Sequence, residues 1–219
     1  QLASDHAGGK GAIQQIAHYV ELAKKQLASH DKVGWELHIV GHSAGSIFAA
    51  YAMNLLSSLG IPLKSVQFMA PAIRTDIFKK LLLPGLESGN TPLPSLYVLS
   101  DKLERDDSVG PYGKSLLYLV SNAFEGTRGV PILGMKAFID ADKQLAKLFS
   151  GSVDGRPALV VSEGIPIDPT KADAAIQQGA SVSHSHGGFD NDCATMNSVL
   201  VRVLGGKPKR QFTPRDLNY

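Results

Sequence analysis

The chain has 219 residues, 43% of them hydrophobic and 19% charged, and a formal net charge of +2. That length allows one sizeable core, and so small a net charge offers no strong field for nucleic acid or an acidic surface. A single cysteine, Cys193, excludes an internal disulfide framework and fits a reducing compartment, and no apolar run approaches the roughly 20 residues that cross a bilayer.

The first residues, Gln1 to His6, have neither a basic start nor an apolar stretch, so they do not read as a signal peptide. Residues 7–10 are Gly-rich and read as a loop. Ile13, Ile16, Ala17, Val20, Ala23 and Leu27 then recur at helical spacing, which predicts an amphipathic helix with one face on a sheet. Residues 29–34 end it. Trp35 opens a short apolar strand, Glu36 to Val40, and Ser46 to Leu56 reads as a helix. A second strand is expected over Lys64 to Ala72, with Pro71 at its end, where a missing N–H costs little. Thr75 is expected to cap a Leu-rich helix from Asp76 to Leu83. Leu96 to Ser100 reads as a third strand, followed by an acidic loop from Asp101 to Asp107. Lys114 to Phe124 reads as a well-buried helix and Met135 to Phe149 as another. Arg156 to Ser162 is a fourth strand, and Thr170 to Gln178 a short helix. His184 to Phe189 forms a Gly-marked turn before a last helix, capped by Asp190 or Asn191 and ending near Leu204. The basic segment from 207 to 219 reads as a solvated tail outside a domain of residues 1–206. Strands alternating with helices predict an α/β fold with a mostly parallel sheet flanked by helices. Ligands bind such sheets at the C-terminal ends of the strands.

Between the first strand and its helix stands Gly41-His42-Ser43-Ala44-Gly45. In a strand–turn–helix setting, G-x-S-x-G is the signature of a tight turn that strains the serine backbone and exposes its hydroxyl. Side chains at Gly41 and Gly45 are expected to collide with neighbouring backbone. The helix N-terminus offers free N–H groups at the same place. The chain here resembles the α/β-hydrolase superfamily, and the Gly-His-Ser-x-Gly form is most similar to its lipase and esterase branches. The resemblance runs from about Ile13 to Leu204.

A serine hydroxyl needs a base, and the base an orienting carboxylate. In hydrolases with this turn the order along the chain is Ser, acid, His. Only His184 and His186 follow Ser43. His186 is preferred, because Gly187 and Gly188 leave room beside it. The acid is expected after a strand. Asp107 is placed first because Asp107-Ser108-Val109-Gly110-Pro111 matches an Asp-x-Val-x-Pro pattern of related hydrolases, with Asp106 and Asp101 behind it. Ala44 N–H is the expected oxyanion donor. His42 is expected to point elsewhere and serve structure. His184 and His186 with Asp190 and Asp192 could instead be part of a metal site, and Cys193 reads as a small packed residue.

The resemblance implies a serine hydrolase that acts on a small-molecule ester or related acyl substrate, with no metal or organic cofactor. The Leu-rich segment Ile77 to Leu86 is a candidate acyl pocket, or an ordinary surface helix. A non-catalytic binding domain of the same fold, or an acyltransferase with the same residues, is the alternative. No strands precede the Ser43 strand, and no His-Gly-Gly-Gly loop supplies a second oxyanion donor. The chain also begins with Gln1 rather than Met. The expectation is therefore an N-terminal segment or companion chain that pairs with an open sheet edge beside Glu36 to Val40.

Overall fold

The computed structural model describes residues 11–28 and 34–217. The Gly-rich loop expected over 7–10 and the helix stop expected over 29–33 lie outside the described residues. The first helix, α1, spans Ala12–Ala28. It buries Ile13 and Ala17 and leaves Ile16, Tyr19 and Leu22 on its outer side. Strand β1 (His38–His42) leads into α2 (Gly45–Ser58), β2 (Ser65–Met69), α3 (Thr75–Glu87) and β3 (Ser95–Leu99). The fourth expected strand is interrupted at Ala158, and a short extra strand precedes it. Asp154 and Gly155 both take positive φ, 50° and 75°, which suits a two-residue hairpin turn. They join β4 (Ser152–Val153) to β5 (Arg156–Pro157), and β6 (Leu159–Ser162) follows.

The main sheet has the order β1-β2-β3-β6 and is parallel throughout. His42 lies opposite Met69, Met69 opposite Tyr97, and Tyr97 opposite Val160. The strand ends are thus level, and the turns that follow them meet at one rim. The two central strands bury every residue, as strands covered on both faces do; β3 is apolar after Ser95, whereas β2 also buries the polar Ser65 and Gln67. Val66, Phe68, Leu96 and Val98 pack with Ala49, Met53 and Phe78 of α2 and α3. Met69, Tyr97, Leu99 and Val160 pack on the opposite face with Phe189 and Val199. Val199 lies in the last helix, which spans Cys193–Leu204. Its Arg202 guanidinium is buried without a carboxylate and donates instead to Tyr97 Oη (2.9 Å), Ser95 Oγ (2.9 Å) and the Pro157 carbonyl (2.7 Å).

β1 hydrogen-bonds only to β2 among the described strands, so it is an edge. Val40 on it is 46% exposed. Among the described residues no helix is long and apolar enough to cross a membrane.

Side-chain capping redrew several expected elements. The acidic loop is in part a helix, α4 (Asp101–Asp106), because Ser100 Oγ accepts the Leu103 N–H at its start. Lys114 to Phe124 is a short helix, α5 (Leu116–Leu119), capped by Ser115, that continues as one π-helical turn over Val120–Phe124. Phe124 there is 69% exposed, so this stretch is less buried than its composition implied. The single helix expected over Met135 to Phe149 is two, α6 (Lys136–Ala141) and α7 (Lys143–Phe149). Asp142 separates them, because its carboxylate accepts from Gln144 N and Leu145 N and holds its own backbone extended. Thr75 is not a cap but the first residue of α3, and Arg74 precedes it with no side-chain capping bond. The helix expected over 170–178 is α8 (Ala172–Gln178), and Asp192, rather than Asp190 or Asn191, caps the last helix, α9. The basic tail folds back: Asn197 donates to the Phe212 carbonyl (2.9 Å) and accepts from Phe212 N–H (2.7 Å), and Leu217 is buried.

Candidate active site

β1 ends at His42, and α2 begins at Gly45. The chain reverses in two residues, which forces Ser43 to φ 52°. That is left-handed backbone, costly for a non-glycine residue. The Ser43 carbonyl holds the turn by accepting from Ser46 N (3.1 Å), Ser46 Oγ (2.7 Å) and Ala72 N (3.1 Å). Ala70, level with Ser43 across the rim, has φ 41°. Ser43 N–H donates to Met69 O (2.9 Å), so the two strained turns brace each other.

Gly41 and Gly45 differ, contrary to the sequence expectation for both. A Cβ on Gly41 would stand 3.2 Å from Gly45 C and 3.2 Å from Ser46 N, whereas at Gly45 it would meet nothing within 4 Å. Gly45 opens α2 on its solvent side, so its collision does not exist. Gly41→Ala is expected to cost about 1–3 kcal/mol, as overpacking against backbone does, and Gly45→Ala to be close to neutral. Chemical denaturation of the two variants checks this, and equal losses would contradict it.

His186 lies in the 3-10 turn His186–Gly188 and is buried. Its Nε2 is 2.8 Å from Ser43 Oγ. The turn is held from several sides: Ser162 Oγ donates to Ser183 O (2.7 Å), and Val182 N–H donates to Asp192 Oδ2 (2.8 Å). His184 is exposed, and its ring lies against Gly164.

Asp107 reaches His186, but not its ring. Asp107 Oδ2 accepts the His186 backbone N–H at 2.9 Å, and Oδ1 accepts Ser108 N–H at 2.8 Å. His186 Nδ1 is buried without a hydrogen-bond partner among the described residues. The carboxylate expected on Nδ1 is thus on the main chain one bond system away. The cause is α4: as its C-cap, Asp107 is fixed by its own N–H bond to Leu103 O (2.9 Å) and spends both oxygens on backbone donors. The other candidates are engaged elsewhere or exposed. Asp101 accepts from Arg105 Nε (2.8 Å) and Tyr118 Oη (2.9 Å), and Asp106 is on the surface.

Sequence reading underestimated His42. Its Nε2 is 2.9 Å from the His186 carbonyl, and since a carbonyl only accepts, Nε2 carries the hydrogen. Its ring stacks on that of His186 at 5.4 Å, and its Nδ1 faces Asp190 Oδ2 at 3.5 Å. His42 therefore points at the His186 turn and supports it. The place of His42 directly before Ser43 was the available signal.

Ala44 N–H has no hydrogen-bond acceptor among the described residues, and Ala44 itself is exposed beside Ser43 at the start of α2. A free donor in this position is available to an anionic oxygen. Ile47 and Phe48, on the first turn of the same helix, are also exposed.

No family model matches this chain, and no curated protein or solved structure does.

The remaining candidates are separated. Among the described residues no group of three His, Cys, Asp or Glu could hold a metal ion. Asp190 faces His42 and Asp192 caps α9, so His184 and His186 share no ligand set with them. Cys193, first in α9, is half-buried, and burial raises its thiol pKa. The cavity beside Leu83 and Leu86 has a volume of about 440 Å³ and is also lined by Gln144, Lys147 and Leu148. It sits at the C-terminal end of α3. That helix runs back from the Ser43 rim toward the start of β3, so the cavity is at the far end of the sheet.

Burial holds His186 well below the ordinary histidine range, at about 4; His42 pushes the same way, while Asp107 and Asp190 oppose it. The imidazole is therefore neutral across ordinary pH, as a proton acceptor must be. An unfolded histidine takes its proton near 6.5, so protons favour the unfolded chain between the two values. The stabilisation from neutral His186 is whole above 6.5 and is lost as pH falls toward 4. Phosphonylation of Ser43 by a fluorophosphonate, which releases fluoride, is expected to keep most of its pH 7 rate at pH 5. A rate that collapses near pH 6.5 would show an ordinary histidine.

Proposed function

We propose that this chain is a serine hydrolase of the α/β-hydrolase kind, acting on an ester or related acyl bond. The observation that supports it most is the 2.8 Å approach of His186 Nε2 to Ser43 Oγ at a strained strand–helix turn. In this reading Ser43 Oγ attacks the acyl carbonyl while His186 Nε2 takes its proton. The carbonyl oxygen becomes an anion beside the free Ala44 N–H, where the α2 N-terminus adds favourable potential. His186 then gives its proton to the departing alkoxide. Water, deprotonated by the same imidazole, releases the acyl group. Asp107 and His42 hold the His186 main chain and ring in place for both transfers. Exposed Ile47 and Phe48 offer the substrate apolar contact at the rim.

The same reading includes a companion segment along β1, since an edge strand with an exposed valine presents unpaired backbone to another strand. A non-catalytic binding domain is the second reading. The observation that favours it is the partnerless His186 Nδ1, which leaves the imidazolium of a transition state without a carboxylate on its ring. One experiment separates the two. A fluorophosphonate should form an adduct on Ser43, located by mass spectrometry of the digest, and should leave the other serines free. Absence of an adduct on the folded chain favours the binding domain.

A further inference from the structure

Glu104 has no part in the chemistry described so far, yet it is the most completely buried carboxylate among the described residues, at 1% exposure. It lies one turn before Asp107 on α4. Its Oε2 is bonded to Ser115 Oγ, and its backbone carbonyl accepts Ser115 N–H at 2.9 Å. Its Oε1 is buried with no hydrogen-bond partner among the described residues. Ser115 caps α5 through its hydroxyl, so both atoms of Ser115 that tie α5 down end on Glu104. The loop between, 107–114, closes on itself through paired bonds between Val109 and Tyr112 (2.9 and 3.0 Å). Asp107 stands at the start of that loop. What fixes its carboxylate against the His186 N–H is this α4–loop–α5 unit.

The two carboxylates nearest Glu104 disfavour its ionised form. Asp107 and Asp101, on its own element, act on it as like charges. From α5 the group that faces it is the uncharged Ser115 hydroxyl, and Tyr118 turns its hydroxyl to Asp101. The nearby cations are occupied: Arg105 pairs with Asp101, and Lys114 lies over the Tyr118 ring at 4.8 Å. Leu103, the neighbour of Glu104, meets the segment after β6 near Gly164, where the exposed His184 ring also lies. β3 packs against α4, and its Tyr97 and Leu99 are buried and uncharged. An ionised Glu104 would thus be a buried anion with one neutral partner, one empty oxygen and two like charges close by. Such a charge is relieved by admitting water or moving the segment that carries it.

We propose that Glu104 is a positioning residue for His186: in its neutral form it locks α4 to α5 and so sets Asp107 on the His186 backbone, and its ionisation loosens that lock. The proposal rests on the reading of His186 as the base. Burial, opposed by the Ser115 bond and reinforced by Asp107 and Asp101, raises the Glu104 carboxyl to about 7, which sets where the change occurs.

The test compares the full chain with Glu104→Gln, which keeps the shape and the Ser115 bond but cannot ionise. The primary readout is the His186 backbone amide resonance between pH 5 and 9, because that N–H is the one bonded to Asp107. The wild-type resonance should shift with a midpoint near 7, and E104Q should lack that step. The unfolding midpoints provide a second readout. In the unfolded chain a glutamate ionises near 4.5 and here near 7; stability from the neutral form is complete below 4.5 and lost as pH rises through 7. The Tm of E104Q should therefore match wild type at pH 4 and exceed it by several degrees at pH 8. Fluorophosphonate labelling should fall roughly tenfold or more above pH 7 in wild type only, as misplacement of a reacting group implies. An amide step that is absent in wild type, or equal in E104Q, overturns the proposal. A Tm difference without any amide step overturns it too, since a merely structural carboxyl would give that result. Failure of every form to label, with the amide step present only in wild type, counts against the hydrolase reading and leaves the coupling of Glu104 to His186 standing.

Discussion

Ser43→Ala is expected to lower ester turnover by about a million-fold, the loss seen when one member of such a cooperating set is removed. The substitution deletes a single oxygen, and alanine has no more difficulty than serine with φ 52°. The Ser43 carbonyl keeps its three donors, and its N–H keeps Met69, because all four bonds are main-chain at Ser43. The variant should therefore unfold within about 1 kcal/mol of the wild type. His186→Ala should cost a similar factor, and the double variant no more than either single, because nucleophile and base act as one unit. Turnover of a chromogenic short-chain ester, with a circular dichroism melt alongside, is the measurement. Activity that survives Ser43→Ala with the fold intact would remove the catalytic assignment altogether. Additive losses in the double variant would mean that the serine and histidine act in separate events.

Val40 and the open edge of β1 give the second large expectation. β1 pairs on one side only, and Val40 is 46% exposed where the central strands expose nothing. α1 adds exposed Ile16, Tyr19 and Leu22. An edge of this kind recruits further strands. The isolated chain is expected to self-associate, and Val40→Lys, which puts a charge on the edge, to shift it toward monomer in light scattering. Its catalysis should also be weak. On the proposed reading Ala44 N–H is the oxyanion donor that the described residues supply, and a missing second donor would cost about 100-fold. The isolated chain should thus show kcat/KM below about 10⁴ M⁻¹ s⁻¹, the floor of the usual enzyme range. A monodisperse 219-residue monomer with ordinary kcat/KM would refute the need for a companion along β1.

The alternation of strands and helices, the turn at Ser43 and the approach of His186 rather than His184 to that turn were legible in the residues alone. Each is written in local terms. Continuous apolar runs such as Leu96–Leu99 fit strands buried on both faces. Ile13, Ala17 and Val20 mark one helix face, and glycine at 41 marks a backbone approach at 3.2 Å. The small corrections were local as well, but rested on single hydrogen bonds: Asp142 broke one helix in two, and Ser100 made a helix of an acidic loop. Contacts between residues far apart in the chain were not legible there. Asp107 lies 79 positions from His186, and His42 lies 144 positions from it. Whether a carboxylate meets an imidazole ring or the amide beside it depends on how α4 and α5 are pinned. That is settled by a buried glutamate and a serine whose types carry no such message in sequence. Tertiary packing fixes these placements because most buried polar atoms take partners from whatever the fold brings near them, and no local pattern records which partner that is or which atom, like His186 Nδ1, is left without one among the described residues.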